Sequence, residues 1–133
     1  MAGTMGTRKQ TFDNYTVWCD FSADTETIVD VIDLLVRDLP VSIDALLGGV
    51  ERGDHVAVAR AAHKVVGAAG TVAADPICLV AHQIEAHAKH GSVEAVRPLC
   101  QPIAEARDQL IADLLAWRSE IAPVFTADSQ CRS

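Results

Sequence analysis

The sequence predicts an all-α fold: an antiparallel up-down four-helix bundle with a short additional helix at its N-terminal end. Half of the 133 residues are apolar but only 5% are aromatic, and a chain rich in Ala, Val, Leu and Ile suits packed helices better than a sandwich or barrel. Apolar residues recur at steps of three and four over four long stretches, the period of one helix face. Gly, Asp and Pro gather at the few points between those stretches, where helices stop and start. The length fits one domain spanning 1–133, with a core over about 25–121 and flexible tails expected at 1–10 and 126–133.

The first long helix occupies residues 25–50, where Ile28, Ile32, Leu35, Leu39, Ile43, Leu46 and Val50 form one stripe. Ser22, Asp24 and Thr25 are its candidate caps. Pro40 lies off the stripe, which continues in phase through it, so a kink is expected rather than a break. Gly53 then stops the helix and Asp54 caps the next. That second helix runs from about 55 to 72 on Val58, Ala61, Val65, Ala68 and Val72. Asp75 as cap and Pro76 at the first helical position open a third, built on Ile77, Val80, Ile84 and Ala88. Gly91 and Ser92 close it. The last helix carries Val96, Leu99, Ile103, Ala106, Leu110, Leu114, Trp117 and Ile121, with Pro98 tolerated near its first turn and Pro102 expected to bend it. Such stripes joined by short turns bury themselves only against one another. A short helix around residues 12–21 is placed over one end.

A formal charge of −7 and a pI near 5.0, with no segregated basic patch, argue against a nucleic-acid partner. No apolar run approaches the roughly 18 residues that span a bilayer, so no membrane insertion is expected. Cys19, Cys78, Cys100 and Cys131 include no C-x-x-C pair, and Cys78 and Cys100 fall within apolar helical patterns as small core residues. A reduced, cytoplasmic monomer follows as the expectation.

One residue stands out because it is off its stripe. At about 100° per residue, His63 lies roughly 200° from Val65 and shares an outward face with Val56, Arg60, Gly67 and Gly70. The run Ala61-Ala62-His63-Lys64-Val65-Val66-Gly67-Ala68-Ala69-Gly70-Thr71-Val72-Ala73-Ala74 resembles the signature of histidine-containing phosphotransfer domains, AH-x-x-K-G followed by small residues and a final apolar-Gly-Ala. The resemblance extends to the Arg52-Gly53-Asp54 turn, the Ile84-Glu85 pair and the Gly91-Ser92 turn, covering about 25–117.

That resemblance implies a phosphorelay intermediate. It would accept a phosphoryl group on His63 from a receiver-domain aspartate and pass it to a response regulator. Its partners would be receiver domains, in a stand-alone protein or in the C-terminal domain of a hybrid sensor histidine kinase. A neutral imidazole offers a nucleophilic nitrogen, and its phosphoramidate is labile enough to be handed on. Gly67, one turn beyond on the same face, leaves clearance. Glu85, twenty-two residues after His63, matches a position that orients the histidine, by accepting from Nδ1–H and leaving Nε2 free. The chain departs from the family's pattern at Val66, where the family carries lysine. Lys64 and Arg60 are the candidate substitutes for that cation. No kinase ATP-binding motif or receiver pocket is present, so the module is expected to have no kinase active site, cofactor or metal of its own.

Two other readings share these residues. A degenerate bundle that only scaffolds a receiver or kinase is compatible with Val66. His82, His87 and His90 with Glu85 and Glu94 suggest a metal-binding bundle, but no Glu-x-x-His motif recurs on a second helix.

Overall fold

Each predicted stripe buries itself on its neighbours. The computed structural model describes residues 11–132, with side chains as far as Ala122. Its helices are α1 (Asn14–Asp20), α2 (Thr25–Arg52), α3 (His55–Gly70), α4 (Asp75–Lys89) and α5 (Val93–Arg132). α2 packs on α3, α3 on α4, α4 on α5 and α5 back on α2, which closes the four long helices into an up-down ring. No strand occurs among the described residues. Ion pairs along the α2–α5 seam show the antiparallel sense: Arg118 donates to Asp33 at 2.7 Å and Arg107 lies 3.8 Å from Asp44. The backbone of 126–132 continues α5, while residues 1–10 and 133 lie outside the described residues.

All seven residues of the α2 stripe are buried. Asp24 is the cap, its carboxylate accepting from the Thr27 N–H at 3.3 Å. The helix passes through Pro40 without a break. A proline inside a helix costs about 3 kcal/mol, but a fully buried Leu or Ile contributes about 1.5–3 kcal/mol, and Leu35, Leu39, Ile43 and Leu46 flank it. Gly53 ends α2 at φ +70°, with Asp54 N–H donating to Gly49 O and Gly53 N–H to Val50 O, a left-handed closure suited to glycine. The same closure recurs at Gly91.

Between α3 and α4 the turn is made without glycine. Ala73 takes φ +52°, and Ala74 N–H donates back to Ala69 O at 3.0 Å. This closes the turn early and corrects the expected start of α4. Ala74 holds the cap position without a side-chain bond, and Asp75, the expected cap, is the first helical residue with Pro76 second. There the Asp75 carboxylate faces the positive end of the helix. α3 likewise ends at Gly70 rather than near 72, although Val72 remains buried.

α1 covers one end, as the sequence suggested. Phe12 and Val17 join the core, and the Phe12 ring stands 5.5 Å from that of Trp117. Thr11 Oγ1 donates to Asp113 at 2.6 Å and Asp13 N–H to Val72 O at 3.3 Å.

One glycine marks a close approach of α2 to α3. A Cβ on Gly49 would stand 2.9 Å from Val58 Cγ2 and 3.3 Å from the Val58 backbone nitrogen. Gly49→Ala is therefore expected to lower stability by about 1–2 kcal/mol, because overpacking at a backbone contact outweighs the helix propensity gained. Chemical denaturation of the variant checks this.

Candidate functional site

The α3 surface opposite the core is the surface read from the sequence. Val56, Arg60, His63, Lys64, Gly67 and Gly70 are all exposed, while Ala61, Ala62 and Val65 turn inward. The His63 side chain, in mid-helix, is 77% exposed. Alternation of buried and exposed positions along one helix is enough to project this ring outward.

α4 supplies the other half of the site, because it runs antiparallel beside α3. His55 Nδ1 donates to Ala88 O at 3.2 Å near one end of this pair, and Cys78 Sγ approaches Val66 O at 3.8 Å near the other. Between them, His63 Nδ1 lies 3.1 Å from Glu85 Oε2. The same Glu85 oxygen lies 3.2 Å from Lys89 Nζ, one turn further along α4. Glu85 is the one buried charged residue among the described residues. Its partners offset the cost of burying a carboxylate.

Burial pushes the Glu85 carboxyl up, but the hydrogen bond and charge of Lys89, and then those of His63, hold it below the ordinary carboxylate range. Glu85 is thus ionised at neutral pH and can only accept. Its acceptance fixes the hydrogen of a neutral His63 on Nδ1, the tautomer being inferred from the partner. No described group bonds Nε2, which keeps its lone pair on an exposed ring.

The structure brings His63 and Glu85 together and places Gly67 on the same face. A Cβ on Gly67 or Gly70 would meet nothing within 4 Å, so internal helix packing does not require either glycine. Arg60 and Lys64 are exposed, with no hydrogen bond or ion pair to a described residue. The cation that reaches the site is Lys89, which the sequence reading passed over. Its signal was legible as a Glu85–Lys89 spacing of four on one helix, the favourable order for an ion pair.

Val66 is not a vacant exposed position. It is half-buried against the core, and its carbonyl faces Cys78. Val66→Lys should therefore cost about 1 kcal/mol of lost apolar burial, with the lysine stem recovering part of it. Thermal denaturation beside a transfer assay measures the cost, and no gain in transfer is expected. Cys78 and Cys100 pack partly buried against the core, and burial pushes both thiols up, as befits inert packing residues. The Cys131 side chain lies outside the described residues. No group of three or more His, Cys, Asp or Glu stands close enough to hold a metal among the described residues, and no described helix is long and apolar enough to cross a membrane.

The four-helix ring thus carries an exposed histidine in mid-helix, held by a buried carboxylate from the neighbouring helix. The Hpt domain family matches residues 19–118, three-quarters of the chain and every part of the site. The chain belongs to the Hpt domain family, and so is a phosphotransfer module of two-component signalling rather than a kinase. No curated protein and no solved structure matches it significantly.

Proposed function

We propose that His63 is the phosphoacceptor of a phosphorelay intermediate, loaded by the phospho-aspartate of one receiver domain and unloaded to the aspartate of another. The observation that carries this reading is the pairing of an exposed His63 ring with a buried, ionised Glu85 at 3.1 Å. In the loading step the Nε2 lone pair attacks phosphorus, a P–N bond forms and the P–O bond to the receiver aspartate breaks. The aspartate leaves as a carboxylate. The Nδ1 hydrogen stays on the ring, donated to the Glu85 carboxylate throughout, so Glu85 holds the orientation of the imidazole while Nε2 reacts. Unloading reverses these bonds on a second receiver.

Gly67 and Gly70 keep the approach to Nε2 clear. Arg60 and Lys64, exposed beside the ring without acidic partners among the described residues, face the docking receiver as cations. The same reading makes the module a cytoplasmic monomer, either stand-alone or within a hybrid sensor kinase.

The experiment is incubation with a panel of receivers carrying ³²P on aspartate. Acid-labile, base-stable label on this chain, chased onto a second receiver, is the expected result. Receiver binding without label would overturn the reading in favour of a scaffold.

A further inference from the structure

Lys89 and His63 compete for one oxygen. Both nitrogens stand on Glu85 Oε2, at 3.2 and 3.1 Å, which puts them within about 6 Å of each other, close enough for one positive charge to oppose another. An unshared buried carboxylate beside an imidazole does two things: it accepts from Nδ1–H, which orients the ring, and it stabilises the doubly protonated imidazolium, which has no lone pair on Nε2. The first helps a nucleophile and the second disables it.

We propose that Lys89 is a positioning residue that separates these two effects: by occupying the oxygen it shares with His63, it lets Glu85 orient the ring without drawing a second proton onto it. The inference rests on the phosphoacceptor reading of His63. The chemistry follows from the contacts. A neutral ring donates one hydrogen to Glu85 and adds no charge next to the Lys89 ammonium. Protonating Nε2 would place a second cation against a carboxylate already neutralised by Lys89.

Lys89 is well placed for this. It is anchored by the i to i+4 spacing on α4 and remains 65% exposed, so its removal leaves no cavity. The other charged and titratable groups around His63 are Arg60 and Lys64 on its own helix and His82 on α4, all exposed and none in contact with the Glu85 carboxylate. On α2, which packs on the other flank of α3, Asp33 and Asp44 turn to Arg118 and Arg107 of α5, Asp38 pairs with Arg37, and Glu26, Asp30, Glu51 and Arg52 are exposed with no ion pair to His63 or Glu85.

The test is the pH profile of phosphoryl acceptance from a fixed labelled receiver, beside an NMR titration of the His63 ring in the unphosphorylated protein. In Lys89→Met the acid limb should move up by about half a pH unit, a loss of about threefold on that limb, with the alkaline plateau unchanged. Lys89→Arg should keep the native limb, and Lys89→Glu should move it further than Lys89→Met. The differences should shrink with added salt, and the ring titration should move in step with the limb. A uniform loss at every pH, or a limb and ring titration that stay in place in Lys89→Met and Lys89→Glu, would overturn the proposal. If the wild-type chain takes no label from any receiver, the phosphoacceptor reading fails, and the ring titration still decides what Lys89 does.

Discussion

His63→Gln is expected to abolish labelling by phosphorylated receivers, with no measurable loss of helicity or thermal stability. The ring is largely exposed in mid-helix and its bond to Glu85 is its one polar contact, so the fold loses little when the imidazole is replaced by another polar side chain. The chemistry loses its nucleophile. His82→Gln, His87→Gln and His90→Gln should all retain the label, because none of these rings contacts Glu85. His90 instead donates to Ala86 O at 2.9 Å, at the end of α4. Quantitative label incorporation, with circular dichroism of the same samples, checks the series. Label that persists in His63→Gln would move the acceptor elsewhere.

Gly67 separates stability from docking. Glycine in a helix interior costs about 1 kcal/mol relative to alanine, and at Gly67 no described residue occupies the space a Cβ would take. Gly67→Ala is expected to raise stability by up to about 1 kcal/mol. Gly67→Phe should leave the fold intact, yet lower the rate of transfer by about tenfold or more, since a bulky group at the centre of a docking surface obstructs a close-fitting partner. Urea denaturation and transfer kinetics on the two variants measure both effects. Equal transfer rates in wild type and Gly67→Phe would mean that the receiver does not close over this face. Gly49 gives the internal contrast, because there the vacancy is filled by Val58.

Much of this arrangement was legible in the residue order because helix periodicity converts spacing directly into direction. The whole α2 stripe is buried, and the α3 face of Val56, Arg60, His63, Gly67 and Gly70 is exposed, as the angular arithmetic requires. Gly53 and Asp54 were readable for the same local reason: a left-handed stop and a carboxylate cap act within a few residues of their own position. The α3–α4 turn was less legible. Ala73 carries no signal for the left-handed conformation it adopts, so the local pattern points to Asp75 as the cap, one residue beyond Ala74, which holds it.

The sequence by itself determined the four stripes, the helix stops and the outward direction of His63, since each depends only on neighbours along one helix. Only the tertiary structure decided what stands beside that histidine. Whether Glu85 is a solvated surface carboxylate or a buried partner depends on how α4 lies against α3, and the structure buries it with its oxygen on Nδ1. Tertiary packing likewise drew the half-buried Val66 towards the core and brought the cation from α4, at Lys89, rather than from α3, at Lys64 or Arg60. The physical reason is that burial and ion pairing across a helix seam are set by the register between two helices, and periodicity within either one carries no information about that register.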